Sequence, residues 1–306
     1  MKKIAFVGNG EPPAKLLEIF KKMTPGRSGT WGELQGTDNY KDADYFMVID
    51  WLPSDSGIDP KKCIFLNAHP ETVRPYRDMS GYQCFAKIDA KEGLGFLEWW
   101  LSYDYDYLKA LEPPTKFKRL GCIMSNADND KSHILRRQWL KRFCGKLQTN
   151  NHPIYFNQQF DLYGRIIPET QAIKNYYKNP LGSSSPQGAA ATGGKNDHMS
   201  GKEQVYLEYK YMIEFDNIGS HYFSERVLDC MLLWAIPLYW GGNLDVLPCG
   251  SFHYIDINGD GEDVLKISNS DFYERNIENL AKAREILLDE LQIWPKCHKI
   301  IFGSYK

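Results

Sequence analysis

Residues 209–242, YKYMIEFDNIGSHYFSERVLDCMLLWAIPLYWGG, restrict the possible folds more than any other stretch. An apolar strand is followed by a polar loop, a helix that begins near Ser224, a second apolar strand and two glycines. Such a strand–helix–strand unit predicts parallel strands with helices on the faces of the sheet. Polar side chains at the carboxyl end of a strand lie where open α/β sheets bind ligands. We therefore expect a ligand site formed by Asn217, Ser220, Tyr222, Glu225 and Arg226.

The composition is typical of a soluble globular protein. The chain has 306 residues, 42% of them hydrophobic, which suits two domains with their own cores. A net charge of -2 gives no sign of a nucleic-acid-binding surface. The 7 cysteines form no Cys-x-x-Cys pair, so we expect buried thiols in a reducing compartment. The N-terminal apolar run is too short for a signal peptide or a membrane span, which predicts a cytoplasmic protein without an integral membrane segment.

The first part of the chain alternates apolar strands with helical or turn-rich stretches. Strands are expected at residues 4–7, 43–51, 63–66 and 85–88. Gly8 and Gly10 begin a dinucleotide-binding pattern, but Pro13 stands where its third glycine belongs. We therefore expect a helix that starts at the proline pair, and not a nucleotide-cofactor loop.

A proline-rich segment at residues 112–116 predicts the domain boundary, and its lysine indicates an exposed hinge. We predict a first α/β domain at 1–112 and a second at 113–290. Residues 180–201, rich in glycine, serine and alanine, predict a flexible insertion. The C-terminal segment, 291–306, is expected to pack back on the first domain.

Two residues that can exchange protons follow the strand at 63–66. His69 titrates near neutral pH, and burial can raise the pKa of a glutamate such as Glu71. Either side chain could act as a general base at the edge of a sheet. The alternative is that His69 is a solvated loop residue and Glu71 belongs to the first turn of a helix.

A second candidate site follows the strand at 120–124. Ser125 and Asn126 begin a polar loop that leads to a helix whose start is basic, with Lys131, His133 and Arg136. Backbone N–H groups, the helix dipole and cationic side chains together favour an anion. A basic surface helix is the alternative.

Two acidic strings look like metal sites but lack the required arrangement. Asp104 and Asp106 would not share a helix face, so we interpret them as capping or solvated residues. Asp256, Asp260 and Asp263 lack the spacing and closing glutamate of a calcium-binding loop. We predict no metal site.

Several of these segments resemble the family 10 glycosyltransferases, the α-1,3/4-fucosyltransferases. Residues 215–217, Tyr222, residues 224–226 and residues 236–241 are similar in order to the family's donor motif, and Pro248 and residues 251–252 follow as the family's proline and Ser-Phe pair do. The Ser-Asn pair at 125–126 with its basic helix, and residues 161–164 (DLYG), resemble further family segments. The resemblance covers residues 95–257, with 180–201 as an insertion.

The resemblance implies an α/β fold of the GT-B type, with two Rossmann-like domains facing a cleft. It makes residues 1–112 the acceptor-side domain and residues 113–290 the domain that binds the nucleotide-sugar donor. It implies an inverting transfer of fucose from GDP-fucose to a hydroxyl of an oligosaccharide acceptor, in protein glycosylation or polysaccharide biosynthesis. No cofactor is required, and a divalent cation would be at most stimulatory. The resemblance assigns Glu225 to the donor's ribose or sugar, where it steadies positive charge, and Arg226 to the diphosphate. The remaining donor-binding residues are Ser125, Asn126, Lys131, His133, Arg136, Asn217, Tyr222 and Gly241.

The sequence departs from the family pattern at three places. Arg226 replaces a lysine, Asp216 replaces a glutamate, and His69 stands where the family has its general base, with Glu71 two residues further on. The base is therefore His69 or Glu71. The alternatives are a transferase of the same scaffold with another nucleotide-sugar donor, or a non-catalytic carbohydrate-binding relative. The sequence predicts neither the acceptor nor the oligomeric state.

Overall fold

A computed structural model describes eleven parts of the chain, and the account below concerns these alone. They are residues 1–8, 11–49, 52, 56–67, 84–89, 99–124, 131–149, 160–164, 170–178, 201–216 and 224–303. The strands are β1 Lys2–Gly8, β2 Thr30–Trp31, β3 Leu34–Gly36, β4 Tyr45–Ile49, β5 Cys63–Asn67, β6 Ala86–Asp89, β7 Lys118–Ile123, β8 Phe160–Tyr163, β9 Tyr209–Phe215, β10 Ile236–Trp240 and β11 His253–Tyr254. The α-helices are α1 Pro13–Lys21, α2 Tyr105–Ala110, α3 Lys131–Thr149, α4 Gln171–Tyr176, α5 Gly201–Glu208, α6 Glu225–Leu232, α7 Glu262–Ser268, α8 Phe272–Arg275, α9 Ile277–Ile286 and α10 Ile293–Phe302.

The strands form two separate sheets. The first has the order β2-β3-β1-β4-β5-β6, and the second has the order β11-β10-β9-β7-β8. Every pairing is parallel except that of β2 with β3. Without β2, the first sheet has the order β3-β1-β4-β5-β6, and the second sheet read from its other edge has the order β8-β7-β9-β10-β11. In each sheet, the strand that comes second along the chain lies at one edge, and the strand that comes first lies beside it. This is the doubly wound order 2-1-3-4-5, and it confirms the predicted α/β class with two Rossmann-like units.

The strands are apolar along their length because helices cover the sheets. Ile4, Met47, Ile64 and Ile213 are each fully buried. The proline pair begins α1, with Pro12 as its N-cap and Pro13 inside its first turn, as the sequence predicts. The fold therefore follows from alternating apolar strands and amphipathic helices.

The sequence predicts a short strand at 251–257 and, from its strong apolar periodicity, a helix at 271–291. The structure differs from both predictions. The strand is only the two-residue β11. The helical stretch breaks at Asn276, whose φ of -114° and ψ of 11° are not helical, and it ends in a π-helical turn, Leu287–Leu291. Apolar spacing at helical period places the right side chains in the core, but it does not reveal these local breaks.

Helix α10 contacts elements of the first sheet's half of the chain. The Trp294 Nε1–H donates to the carbonyl of Phe20 at 2.9 Å, and the Gln292 amide donates to that of Met23 at 3.0 Å. The Trp294 ring packs edge-on against Phe6, with centroids 5.3 Å apart. The domain limits themselves stay a prediction.

Among the described residues, no helix combines the length and apolar character needed to cross a bilayer.

Candidate functional site

The second sheet reverses its winding direction between the neighbouring strands β7 and β9. The chain leaves β7 toward β8 on one side, and it leaves β9 toward β10 on the other. Right-handed crossovers then place α3 and α6 on opposite faces. Helices α3 and α6 consequently diverge from the carboxyl ends of β7 and β9, which is where doubly wound sheets bind ligands. The two segments singled out in the sequence, 125–136 and 216–226, both begin here.

Asp216 fixes the start of helix α6. It lies directly after β9, is 1% exposed, and both its carboxylate oxygens accept from the Ser224 N–H at 3.1 Å. The hydroxyl of Tyr239 also donates to Asp216, and that hydroxyl oxygen accepts from the Gly242 N–H at 2.8 Å. Burial raises the pKa of Asp216 to about 6, and its hydrogen bonds and Arg226 oppose that rise. One carboxylate thus ties the end of β9 to the N-cap of α6 and to β10.

Gly241 has a packing reason to be glycine. A Cβ atom there would lie 2.0 Å from the Tyr239 hydroxyl oxygen and 2.7 Å from the Asp216 Oδ2 atom. The Tyr239 ring is fully buried and cannot move aside. The predicted contact of Gly241 with the donor stays a prediction.

Replacing Gly241 by alanine is expected to destabilise the fold by about 2–3 kcal/mol, because overpacking at a buried site forces its neighbours out of place. Gly145→Ala is the matched control. A Cβ at Gly145 meets no heavy atom within 4 Å, and alanine at this α3 position should add roughly 0.5–1 kcal/mol. Urea unfolding of both variants measures the difference. Equal free energies of unfolding for Gly241→Ala and Gly145→Ala would show that the Tyr239 hydroxyl does not pack against Gly241.

Arg226 lies in the first turn of α6, half-buried, and its Nη1 donates to the carbonyl of Phe215 at 3.2 Å. Burial alone would lower its pKa, but Glu225, Asp216 and Glu214 outweigh burial and raise the pKa. Its guanidinium group therefore stays charged at the carboxyl end of β9. Glu225, half-buried in the same turn, stands beside it.

Glu214 lies on β9 beneath Arg226 and is 2% exposed. Its Oε1 accepts from the Tyr206 hydroxyl at 2.9 Å, whereas its Oε2 is buried with no hydrogen-bond partner in the described part of the chain. Burial raises the pKa of Glu214 to about 8; Tyr206, Lys202 and Arg226 lower it, and Asp216 raises it further. Burial thus favours the protonated form of Glu214, whereas Arg226 is also close in charge terms to the carboxyl groups of Glu225 and Asp216.

Helix α3 contributes a second guanidinium. Arg136 is 1% exposed and His133 is 7% exposed, whereas Lys131 is exposed. Burial raises the pKa of the Cys122 thiol on β7, and the charges of Arg136 and Arg226 both oppose that rise. The two arginines, one from each diverging helix, therefore act on the same strand end. The structure brings Arg136, Glu225, Arg226 and Gly241 to one edge of the sheet.

Seven of the predicted site residues lie outside the described parts of the chain: His69, Glu71, Ser125, Asn126, Asn217, Ser220 and Tyr222. The insertion at 180–201 does too, except for Gly201, which begins α5. Their roles stay predictions.

The remaining motifs have structural roles. Asp161 of the DLYG segment accepts from the Tyr209 hydroxyl and pairs with Lys178 at 3.2 Å. Asp104 caps α2 by accepting from the Tyr107 N–H, and Asp106 accepts from the Gly26 N–H, as the capping interpretation predicts. In the regions described, no group of three His, Cys, Asp or Glu side chains could hold a metal.

The predicted hinge at 112–116 is held to other parts of the chain by hydrogen bonds. The Lys116 ammonium group donates to the carbonyls of Tyr206 and Leu233, each at 2.7 Å. Trp234 donates to the carbonyl of Leu111 at 2.8 Å. Burial lowers the pKa of Lys116 to about 7. Lys116 itself is therefore not solvated, because its long side chain reaches inward to backbone acceptors, whereas Glu112, Pro113 and Thr115 in the same segment are exposed, as the sequence predicts.

Sequence reasoning missed a set of buried polar residues behind α6. They are Lys202, Glu203, Glu214 and Asp229, exposed by 6%, 0%, 2% and 0%. The one available signal was an acid at Asp229 inside the otherwise apolar run VLDCML, since a buried charge requires a partner.

No protein-family model and no curated protein matches the chain. Among solved structures, an α1,3-fucosyltransferase is 14% identical with a TM-score of 0.45, over 92% of this chain and 81% of that one. The same kind of enzyme with GDP is 13% identical with a TM-score of 0.43, over 99% and 91%. TarM is 13% identical with a TM-score of 0.47, over 87% of this chain and 51% of TarM. At these values the likeness decides nothing about activity or substrate.

Proposed function

We propose that this chain is a glycosyltransferase that binds a nucleotide-sugar donor at the carboxyl ends of β7 and β9. The finer proposal is inverting transfer of fucose from GDP-fucose to a hydroxyl of an oligosaccharide. The observation that supports it best is the placement of Arg226. This arginine begins a helix at the point where the second sheet reverses direction, and the donor-motif resemblance assigns that position to the diphosphate.

The chemistry needs positive charge where the leaving diphosphate develops negative charge. Arg226, the N-terminus of α6 and Arg136 would provide it without a metal ion. Arginine can also hold phosphate oxygens through two parallel hydrogen bonds. Glu225 would contact the donor's ribose or sugar and steady positive charge on the sugar as the bond to the diphosphate breaks.

The acceptor hydroxyl must lose its proton as the new glycosidic bond forms. His69 or Glu71 remains the proposed base for that step. The acceptor and the absence of a cofactor belong to the same proposal, as does a cytoplasmic site of action.

A ligand panel tests the donor. We expect GDP and GDP-fucose at about 100 times their Kd to stabilise the protein by about 2.7 kcal/mol, which corresponds to a melting-temperature rise of roughly 5–10 °C. UDP- and CMP-sugars serve as matched comparisons. Stabilisation by UDP-sugars alone would establish another donor, in keeping with the departures at Asp216 and Arg226.

A transfer assay separates an enzyme from a binding relative. Purified protein is incubated with GDP-fucose and an array of oligosaccharides ending in GlcNAc or galactose, and release of GDP is followed with each acceptor. Acceptor-dependent release is the expected result. Donor binding without release on any acceptor would support the non-catalytic alternative.

A further inference from the structure

A cluster of buried charged residues joins helix α6 to helix α5. None of its members is a predicted site residue. Asp229 is 0% exposed and lies one helical turn after Glu225, on the same side of the helix. The Lys202 ammonium group, from α5, contacts the Asp229 Oδ2 atom at 2.6 Å. Glu203, next to Lys202, is also 0% exposed. Charges this deep are costly unless they bind defined partners.

The cluster binds a short crossover segment, defined here as residues 99–103. The Trp100 N–H donates to the Asp229 Oδ1 atom at 3.0 Å. The Ser102 N–H donates to Glu203, and the Ser102 hydroxyl donates to the same carboxylate at 2.9 Å. The two acids thus hold one stretch of backbone against both α5 and α6.

The crossover segment is also bonded to the first sheet's half of the chain. The Lys22 ammonium group, just after α1, donates to the carbonyl of Trp99 at 2.8 Å and faces that of Leu101 at 3.4 Å. The carbonyl of Lys22 accepts from the Tyr105 N–H at 2.7 Å. The segment therefore links α1 to α6 through hydrogen bonds at both ends.

The charge of Lys202 also acts on the candidate site. Burial would lower the pKa of Lys202, but Asp229, Glu225 and Glu214 outweigh burial and raise the pKa. Lys202 is thus electrostatically coupled to Glu225 and to the acid beneath Arg226. A change in the charge of this cluster therefore alters the electrostatic environment of Glu225, which is assigned to the donor.

We propose that Asp229 and Lys202 are positioning residues, which fix the first two turns of α6 against the crossover segment and so set where Glu225 and Arg226 lie. The proposal rests on the proposed function, since it concerns the donor-binding residues of that site. An apolar pair of equal volume would serve stability alone equally well. The charged pair instead specifies one arrangement of the helix, the crossover segment and α5.

The test uses Asp229→Asn, Lys202→Met and the double variant in the full chain. The asparagine oxygen can still accept from the Trp100 N–H, but the ion pair is lost. We expect kcat for transfer to fall roughly 10–100-fold in each single variant, as a displacement near 1 Å at a reacting site does. The Kd for GDP, measured by calorimetry well below the melting temperature, should rise about tenfold.

Stability and positioning are separated by two comparisons. Lys202→Met leaves the Asp229 charge buried and unpaired, so the double variant should melt at a higher temperature than Lys202→Met while kcat stays low. Leu16→Ala removes a buried side chain of α1 and should lower the melting temperature with wild-type GDP affinity and kcat.

The possible outcomes separate the positioning roles from the proposed function. If wild-type protein binds GDP but Asp229→Asn and the double variant keep wild-type kcat and Kd, the positioning roles are wrong and the proposed function stands. If Leu16→Ala loses affinity to the same degree, the effect is loss of stability, and the positioning roles are again wrong. If wild-type protein binds no nucleotide, the proposed function is wrong, and the positioning proposal is refuted with it.

Discussion

Replacing Arg226 by alanine is expected to lower kcat/KM for sugar transfer by roughly 10²–10³-fold and to remove measurable GDP binding. Removing one preorganised hydrogen-bond donor from the place where negative charge develops costs about this much in other enzymes. Arg226→Lys keeps the charge but loses the two parallel hydrogen bonds, so its loss should be about tenfold. Steady-state kinetics and calorimetry measure both effects.

Arg226→Ala should also destabilise the fold. Arg226 is one of the groups that oppose the effect of burial on Asp216 and Glu214, and Lys202 also acts on Glu214, so its removal weakens the compensation of both carboxyl groups. Binding must therefore be measured at a temperature where circular dichroism shows the variant folded. Arg275→Ala is the matched control, since Arg275 is an exposed arginine paired with Asp271 one turn earlier on the helix surface. Normal GDP affinity in folded Arg226→Ala would refute the assignment of Arg226 to the diphosphate.

The sequence predicts the elements whose periodicity is simple. β1, β5, β9 and β10 are runs of apolar residues bounded by turns, and α3 has apolar residues at helical spacing. These segments determine both sheets. The strand order does not follow from the sequence, because right-handed crossovers fix the face on which each helix packs and not the order of the strands. The order seen in the structure places α3 and α6, with Arg136, Glu225 and Arg226, at one edge of the second sheet.

The polar interior could not be predicted in the same way. Helix α5 directly follows a low-complexity stretch, and its Lys202 and Glu203 look like solvated residues in the sequence. Their burial depends on partners far along the chain, Asp229 and the crossover segment. Lys116 is a comparable case, since two distant carbonyls bind its ammonium group. Periodicity reports which face of an element is apolar, but it gives no information on which charges are paired inside.

Replacing Glu214 by glutamine is expected to stabilise the protein increasingly as the pH rises from 5 to 8. The buried Glu214 has a pKa of about 8 in the folded chain against an ordinary value of 4.5. The folded state therefore retains a proton in this window that the unfolded state has released. Wild-type stability contributed by this group is complete below about pH 4.5 and is lost as the pH approaches 8. Glutamine has no proton to lose and can still accept from the Tyr206 hydroxyl.

The free energy of unfolding of Glu214→Gln, less that of wild type, should rise by roughly 2–5 kcal/mol between pH 5 and pH 8, because each pK unit corresponds to about 1.4 kcal/mol. It should then level off above pH 8. Urea unfolding at half-unit pH steps gives this difference directly. Glu274→Gln is the control: Lys210 lowers the pKa of exposed Glu274, so its difference should stay flat over the same range. A flat difference for Glu214→Gln as well would mean that Glu214 is ionised in the folded protein. The Glu214 carboxylate would then neutralise Arg226, which would not be available to an anion.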